Sequence, residues 1–354
     1  MTSNDDDKIY RLNYIGSKFK LLDWITANIS KSTGHTQFDN LTVADIFAGT
    51  GIVSYHFRKL GARVVSNDAE QYSSIITHAF TRSVYNDTCK TVIDTLNKEL
   101  LQDTYKNTTG FITTQYSPYN GNERMFFTVD NAQRCDYLRF RLDDFQLSPD
   151  ENAFILASII ASADAVSNVP AVYGCYLKNF KSKATKPLIL RPIHTLTTIT
   201  DDQSKTTNKN VLDPEFLASM SADIAYLDPP YNERQYSKNY FPLNCIVRPP
   251  TEALRGKTGI PPDCFISPFC RKAEVVDAFD TLFRSINAKW IFLSYNSESI
   301  VSKEKMIELM SKYGNVSMAV CDYKRFKSFE YNDDKPIQEY LFCLQRNDNQ
   351  VFTK

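Results

Sequence analysis

The chain has 354 residues with balanced charge, 41 Lys and Arg against 41 Asp and Glu. Because the net charge is zero, bulk charge does not indicate a nucleic-acid partner, which would need a local basic patch. Hydrophobic residues at 42% and aromatic residues at 13% exclude wholesale disorder and allow one large domain or two. No apolar run approaches the roughly 18 residues that span a bilayer. The polar, acidic amino terminus is unlike a secretory signal, so we expect a cytoplasmic protein.

The eight cysteines and four histidines give no metal pattern. The cysteines are scattered without a CxxC pair, and the histidines do not cluster near them. This spacing predicts reduced thiols and no metal site.

Residues 10–30 predict a glycine turn at Gly16 and then a helix capped by Ser17. Tyr14 and Lys18 flank this turn. Tyr14 can be a core aromatic ring. Lys18 is either a solvated residue at the helix start or a cation that meets an anionic ligand, because the helix dipole disfavours a cation there.

Residues 42–51, TVADIFAGTG, predict a strand from Thr42 to Phe47 and a tight glycine turn, followed by a helix over residues 52–60. A glycine turn between strand and helix lets a ligand approach the backbone. The third glycine of the dinucleotide fingerprint is missing, so phosphate binding is not implied.

Residues 62–67 predict a second strand, which ends at Asn67 and is followed by Asp68. An acid at this place can accept hydrogen bonds from a ribose diol, which favours an adenosine-type ligand. The alternative is that Asp68 only caps the helix that begins near Glu70.

The alternation of strands and helices breaks between residues 86 and 205. Helical pieces are expected at 91–101 and 131–145, a polar loop at 105–124, and a long apolar segment at 152–168. No Asp or Glu occurs from Pro170 to Thr200. This acid-free stretch predicts a phosphate-binding face, or alternatively a solvated surface, formed by Lys178, Lys181, Lys183, Lys186 and Arg191.

Residues 208–213 allow two interpretations. They can end a third strand with Asp213 at its edge, or Asp213-Pro214 can start the following helix.

Residues 223–232, DIAYLDPPYN, predict a short buried strand that stops at two prolines. Asp228, the Pro229 carbonyl and the Tyr231 ring then lie within four residues. The two acceptors suit the two hydrogens of an amino-bearing base, and the ring can stack on that base. The alternative is a strand followed by an ordinary proline-rich turn.

Residues 232–269 predict a long loop-rich region that carries Arg234 and Lys238. A helix at 272–287, a strand at 290–295 and a helix at 303–313 follow. Two alternating strands, 316–322 and 339–345, predict an antiparallel edge on a mostly parallel sheet, with Lys324 and Arg325 between them.

Four motifs occur in order: YIGSK at 14–18, DIFAGTG at 45–51, ND at 67–68 and DPPY at 228–231. Together they resemble the Dam-like, adenine-specific DNA methyltransferases, most closely the FokI-methylase type of restriction–modification enzymes. Further matches to that type are YSPYNGNERMFFT at 116–128, VYGCYLK at 172–178 and YNERQYSKNY at 231–240.

The resemblance implies an α/β fold with a Rossmann-like, S-adenosylmethionine-dependent methyltransferase sheet. The catalytic domain would comprise residues 1–85 and 206–354, and residues 86–205 would form a mostly helical inserted target-recognition region. The catalytic segment is expected to be Asp228, Pro229, Pro230 and Tyr231. Residues expected at the cofactor are Tyr14, Lys18, Asp45, Phe47, Gly49, Gly51, Asp68, Asp213 and Asp228. Residues expected at DNA are Lys178, Lys181, Lys183, Arg234, Lys238, Lys324 and Arg325.

The function implied is methyl transfer from S-adenosylmethionine to the N6 amino group of an adenine flipped out of duplex DNA. The expected setting is a monomer in a bacterium, or in the host cell of a virus, with a cognate restriction endonuclease that acts on the same site without direct contact. Asp228 favours adenine over cytosine-N4. Cytosine-N4, RNA and protein glutamine remain alternative substrates, and a non-catalytic DNA-binding relative remains an alternative class.

Overall fold

The computed structural model describes residues 12, 14–199, 203–323 and 337–347. These residues form two compact units, each built from separate stretches of the chain. The first unit takes its described residues from Met1–Ile15, Glu70–Thr200 and Ser237–Cys264. The second takes them from Gly16–Ala69, Asp201–Tyr236 and Phe265–Lys354. The first unit therefore includes most of the expected insertion together with residues 70–85 and 237–264.

The second unit contains a seven-stranded sheet within the described residues. The strands are β1 Thr42–Asp45, β2 Arg63–Asn67, β3 Lys205–Thr207, β4 Ser221–Leu227, β5 Asn287–Asn296, β6 Gly314–Tyr323 and β7 Ile337–Arg346. Their order across the sheet is β3-β2-β1-β4-β5-β7-β6. The first five strands in this order are parallel, and β7 is antiparallel to both of its neighbours. The predicted antiparallel edge is confirmed. Lys324 and Arg325 lie outside the described residues.

The central strands are apolar over most of their buried length. Val43 and Ala44 of β1, Ile224–Leu227 of β4 and Ile291–Leu293 of β5 are almost fully buried. Such continuous apolar runs are typical of parallel strands that are covered on both faces. Because β1 pairs with β2 and β4 in parallel, the carboxyl ends of these three strands meet at one edge of the sheet. The polar motif residues follow at that edge.

Eleven α-helices lie within the described residues. They are α1 Leu22–Thr33, α2 Ile52–Lys59, α3 Gln71–Arg82, α4 Asp87–Leu101, α5 Phe111–Tyr116, α6 Val129–Leu142, α7 Pro149–Ala165, α8 Pro214–Ser219, α9 Tyr236–Val247, α10 Val275–Ser285 and α11 Lys303–Met310. A 3₁₀ turn, Lys18–Leu21, precedes α1. Ser17 holds the cap position of this turn, but its side chain makes no capping hydrogen bond.

The first unit is mostly helical, as predicted for the inserted region. Its long helix α7 begins with a capping box, in which Ser148 and Glu151 satisfy each other's backbone N–H groups. Residues 153–164 of α7 are buried on every side, so this helix forms the core of the unit. The sequence of this region lacks the alternating pattern of strands. Long helices packed around an apolar helix are the arrangement expected for such a sequence.

Two predicted loop regions contain helices that the sequence analysis did not predict. Residues 105–124 contain α5 and two 3₁₀ turns, and residues 232–269 contain α9 with Pro242 inside it. Tertiary contacts explain both. Asp136 holds the start of α5, and α9 buries Tyr240, Phe241 and Leu243. Local composition carries no signal of contacts with distant residues.

The strand expected to end at 213 is also wrong. β3 ends at Thr207, and Asp213 accepts a hydrogen bond from the Glu215 N–H as the N-cap of α8. The alternative interpretation, a helix start at Asp213-Pro214, is confirmed. No helix in the described part of the chain is long and apolar enough to span a membrane.

We expect Asp136→Ala to destabilise the first unit. Asp136 is buried and accepts hydrogen bonds from the backbone N–H groups of Gly110, Ile112 and Thr113, at 2.8 to 3.1 Å. Removing the carboxylate leaves these donors without that acceptor, which costs about 2–4 kcal/mol. Urea unfolding measures the loss. Asp143→Ala is the control, because Asp143 forms an exposed ion pair with Arg139 and should cost less than about 1 kcal/mol. Equal losses for both variants would contradict this role of Asp136.

Candidate active site

The glycine turn after β1 is built around two left-handed residues. Gly49 has φ of 55° and Gly51 has φ of 74°, a conformation that a Cβ atom disfavours. The Gly51 N–H donates to the Ala48 carbonyl at 2.8 Å, which closes the turn. The turn leads directly into α2, so a strand end, a tight turn and a helix N-terminus follow one another. A ligand can approach the backbone at such a place.

Asp68 holds this turn from the neighbouring strand. It follows the carboxyl end of β2, and its Oδ2 accepts a hydrogen bond from the Gly49 N–H at 2.7 Å. The helix-cap alternative for Asp68 is wrong, because α3 begins at Gln71 with Glu70 at the cap position. Asp68 therefore lies beside the glycine turn, and its contact with a ribose diol stays a prediction.

Asp45 is a buried carboxylate at the end of β1. Its Oδ2 accepts from the Ser54 N–H at 3.1 Å and from the Ser54 hydroxyl at 2.7 Å, while its Oδ1 has no hydrogen-bond partner in the described part of the chain. Burial raises the pKa of Asp45 to about 7, against the opposing effect of the Ser54 hydrogen bonds. Asp45 ties β1 to the first turn of α2.

Two other residues expected at the cofactor have structural contacts. Phe47 is half-buried and packs edge-to-face on Phe269, with ring centroids 5.2 Å apart. Tyr14, in the first unit, stacks on Tyr240 with ring centroids 4.7 Å apart. The Ile15 N–H also donates to the Tyr240 hydroxyl at 2.9 Å. Contact of Phe47, Tyr14 and the helix-capping Asp213 with a cofactor stays a prediction.

Asp228 and Lys18 form an ion pair at the end of β4. The Lys18 Nζ lies 3.0 Å from Asp228 Oδ1 and also donates to the Gly16 carbonyl at 3.3 Å. Lys18 is only 5% exposed, whereas the Asp228 side chain is 20% exposed. Lys18 is therefore not a solvated residue at a helix start. Its anionic partner in the structure is a carboxylate of the chain itself.

The charges of this pair support each other. Burial acts to lower the pKa of Lys18, but attraction to Asp228 and Glu339 outweighs burial and raises the pKa above its ordinary value. Lys18 is therefore a permanent cation at neutral pH. Burial raises the pKa of Asp228, and Lys18 opposes that rise. The ammonium thus stabilises an ionised carboxylate where burial alone would favour the neutral acid.

The rest of the DPPY segment is held against the Gly16 turn. Pro229 is buried, and the Tyr231 carbonyl accepts from the Ile300 N–H at 2.9 Å. Gly16 has φ of 84°, and a Cβ there would lie 3.2 Å from the Tyr236 hydroxyl and 3.8 Å from the Tyr231 ring. Glycine is needed at position 16 for both reasons. The structure thus brings the YIGSK and DPPY motifs into contact.

Glu339 is a residue of this site that the sequence reasoning missed. It lies on β7 opposite Asn296 of β5 and is 8% exposed. Its charge acts on Lys18 and on Tyr231. The available signal was an acid at the start of an apolar alternating strand. That signal does not tell which face of the strand is buried.

The cations expected at DNA in the first unit differ in their availability. Lys178 is exposed, but the Lys181 Nζ donates to the Val169 carbonyl. Burial, together with the neighbouring Lys183, lowers the pKa of Lys181 to about 8. Lys183 instead lines a cavity of about 290 Å³ together with Lys186 and Arg191, two further cations of the acid-free stretch. Arg234 and Lys238 are exposed, the former in the second unit and the latter in the first.

β7 lies antiparallel between β5 and β6, and a glycine turn follows β1. This sheet order and this turn define the Rossmann-like fold of the S-adenosylmethionine-dependent methyltransferases. At the sheet edge this fold carries a paired DPPY carboxylate. The family model of the D12 class N6 adenine-specific DNA methyltransferases matches residues 14–309. The chain belongs to this family.

Three relatives are similar over nearly all of this chain. The type II methyltransferase M.CviAII of Paramecium bursaria Chlorella virus 1 is 41% identical over 337 residues, which cover 94% of this chain and 98% of the relative. M.NlaIII of Neisseria lactamica is 35% identical, with 95% and 99% covered. M.FokI of Planomicrobium okeanokoites is 32% identical, with 95% of this chain and 53% of the relative covered. The expected resemblance, including that to the FokI-methylase type, is confirmed.

We expect Asp68→Ala to weaken binding of S-adenosylmethionine at least tenfold. The variant removes the carboxylate that is expected at the ribose diol and frees the Gly49 N–H of the turn, and a charged hydrogen bond is worth roughly 1.5–3 kcal/mol. Isothermal titration calorimetry measures the affinity. Asp223→Ala is a matched control, because Asp223 accepts from the Thr42 N–H at 2.7 Å at the other end of the sheet. Unchanged affinity in Asp68→Ala would move the ribose site elsewhere.

Proposed function

We propose that Asp228, Pro229 and Tyr231 hold an adenine that is flipped out of duplex DNA, while the edge formed by β1 and β2 holds S-adenosylmethionine. The observation that carries this proposal is the ion pair of Asp228 with Lys18 at the carboxyl end of β4. β4 is the parallel neighbour of β1, and neighbouring strands lie about 4.8 Å apart. The base-holding carboxylate and the glycine turn therefore share one edge of the sheet.

The residues at this edge fit S-adenosylmethionine. The left-handed glycines leave the backbone of the turn open, and Asp68 places a carboxylate beside it for the ribose. When bound, the cofactor supplies an electrophilic methyl group. Lys18 and Asp228, carried over from the family motifs, would lie toward its methionine end. The two glycines and Asp68 would hold its adenosine part.

Asp228 and the Pro229 carbonyl would activate the amino group by accepting its two hydrogens. An aryl amine is a poor nucleophile, because its lone pair is delocalised into the ring. Two fixed acceptors favour a pyramidal nitrogen whose lone pair points at the methyl group. This is electrostatic preorganisation and in-line positioning. Asp228 needs no high basicity, since the proton can leave after methyl transfer.

Tyr231 would stack on the extruded base. A base inside a duplex is out of reach, so it must be flipped, at a cost of roughly a few kcal/mol. Stacking on an aromatic face offsets part of that cost, because it contributes about 1–3 kcal/mol per base. The Tyr231 ring is half-buried beside the Gly16 turn, and the Tyr231 carbonyl accepts a hydrogen bond from the Ile300 N–H.

The DNA phosphates would be held by lysine and arginine side chains. Lys183, Lys186 and Arg191 line one cavity whose lining includes no acid. Phosphate contacts of this kind fix position and carry no sequence information. Lys178, Arg234, Lys238, Lys324 and Arg325 are further candidates. Lys181 is the weakest one, since its ammonium is engaged by the Val169 carbonyl.

The biological setting that we propose is the modification half of a restriction–modification system. A cognate endonuclease would act on the same DNA site without contact with this chain, which would work as a monomer in the cytoplasm of a bacterium or of a virus-infected cell. The support is the type II designation of the relatives and their sources, a Chlorella virus and a bacterium.

The test of the function is incubation with methyl-labelled S-adenosylmethionine and mixed-sequence duplex DNA, followed by digestion to nucleosides. The proposal predicts labelled N6-methyldeoxyadenosine. Label only in N4-methyldeoxycytidine would contradict the target base. Label in RNA or protein, with none in DNA, would contradict the substrate class.

We expect Asp228→Ala to lower the methylation rate at least a hundredfold. Removing one preorganised charged group typically costs about 10² to 10³ in rate. Because the variant leaves Lys18 buried without this partner, Lys18→Met/Asp228→Ala is measured beside it, with circular dichroism as the check on folding. A folded variant with near wild-type turnover would refute the role of Asp228.

We expect Lys183→Gln/Lys186→Gln/Arg191→Gln to weaken DNA binding for all sequences alike. The negative slope of log K against log salt concentration should become less steep by about 0.9 for each phosphate that the variant no longer neutralises. Fluorescence anisotropy at several salt concentrations measures the slope. Lys90→Gln/Lys98→Gln is the control, because both lysines are exposed on α4 of the same unit. An unchanged slope, or a weakening confined to one sequence, would contradict phosphate binding in this cavity.

A further inference from the structure

The acid Glu339 is buried where an ordinary surface glutamate would not be. It is 8% exposed, on a strand paired on both sides, with Asn296 opposite it on β5 and Cys321 opposite it on β6. Its Oε2 has no hydrogen-bond partner among the described residues. Burial raises the pKa of Glu339, because the charged carboxylate loses its hydration, and Lys18 opposes that rise. Lys18 is therefore the cation that favours the ionised form of Glu339.

The charged and titratable groups around Glu339 come from every element packed against it. They are Lys18 of the turn before α1, Tyr226 of β4, Asp228 and Tyr231 of the following segment, and Cys321 of β6. Lys18 is the one cation in this set. One buried ammonium is therefore in contact with Asp228, and the charge of Glu339 acts on it through space.

We propose that Glu339 is a positioning residue for methyl transfer, which draws part of the Lys18 charge away from Asp228. This inference rests on the proposed function. An ammonium group has three N–H donors. In Lys18 they serve the Gly16 carbonyl and Asp228, while the attraction of Glu339 acts on the same charge. With Glu339 present, Asp228 keeps more of its negative charge for the amino group of the substrate.

Loss of the Glu339 charge would let Lys18 neutralise Asp228 alone. A carboxylate that is fully paired with an ammonium is a weaker acceptor for a third group, so the substrate amine would be less activated. The same change removes a negative charge near Asp228 and lowers its pKa. The variant also lacks the ionisation of Glu339, so this group no longer contributes to the pH–rate profile. In the wild type, burial and Asp228 raise the pKa of Glu339. Both changes move the acid limb of the pH–rate profile to lower pH.

The test is Glu339→Gln, which keeps the size and hydrogen-bonding capacity of the side chain. We expect kcat to fall about tenfold, KM for S-adenosylmethionine and for DNA to change less than threefold, and the acid-limb midpoint of kcat to move to lower pH. Glu339→Asp, which restores the charge on a shorter arm, should return the midpoint toward wild type.

Cys343→Ser is the control, since Cys343 is buried on the same face of β7 about 13 Å along the strand. Its midpoint should equal that of wild type. A lowered kcat in Glu339→Gln with an unmoved midpoint would reduce Glu339 to a structural role, and an unchanged kcat would overturn the inference outright. If the wild-type protein transfers no methyl group to DNA adenine, the proposed function itself is contradicted. That result is distinct from a failure of the Glu339 inference, which appears only in the comparison of Glu339→Gln with an active wild type.

Discussion

The site depends on one buried ion pair, Lys18 with Asp228. An ammonium that is 5% exposed needs a carboxylate within contact distance, or its burial would cost several kcal/mol. The pair therefore fixes the Gly16 turn against the end of β4, although the two segments are far apart in the chain. Tyr236 and Tyr231 lie beside this turn, since a Cβ on Gly16 would be 3.2 Å from the Tyr236 hydroxyl and 3.8 Å from the Tyr231 ring. One electrostatic requirement thus places the carboxylate and the Tyr231 ring at the same turn.

Four acids near one sheet edge have four different environments. Asp45 accepts hydrogen bonds from Ser54 and so links β1 to α2. Burial raises the pKa of Asp45 to about 7. Asp68 supports the glycine turn. Asp228 is paired and partly accessible, whereas Glu339 is buried with an unsatisfied oxygen. The residue type alone does not separate these roles. The neighbours of each carboxylate do.

The sequence predicted the parts of this structure that have local causes. Apolar runs that end at a glycine turn, at Asn67-Asp68 and at two prolines indicated β1, β2 and β4, and the order of the motifs indicated the family. It could not predict α5, α9 or the role of Asp213 as a helix cap, because their causes are distant contacts or a choice between two local patterns. Nor could composition show that Lys181 is turned toward a backbone carbonyl while Lys186 and Arg191 line a cavity.

The central claim concerns where the amino group of the target base is held. The most direct measurement is a crystal structure of the protein with S-adenosylhomocysteine and a duplex that contains its mapped target sequence. The account predicts the N6 nitrogen of an extruded adenine within about 3.2 Å of both Asp228 and the Pro229 carbonyl, with Lys18 still on Asp228. An adenine whose amino group faces other residues, or Lys18 displaced from Asp228, would contradict it.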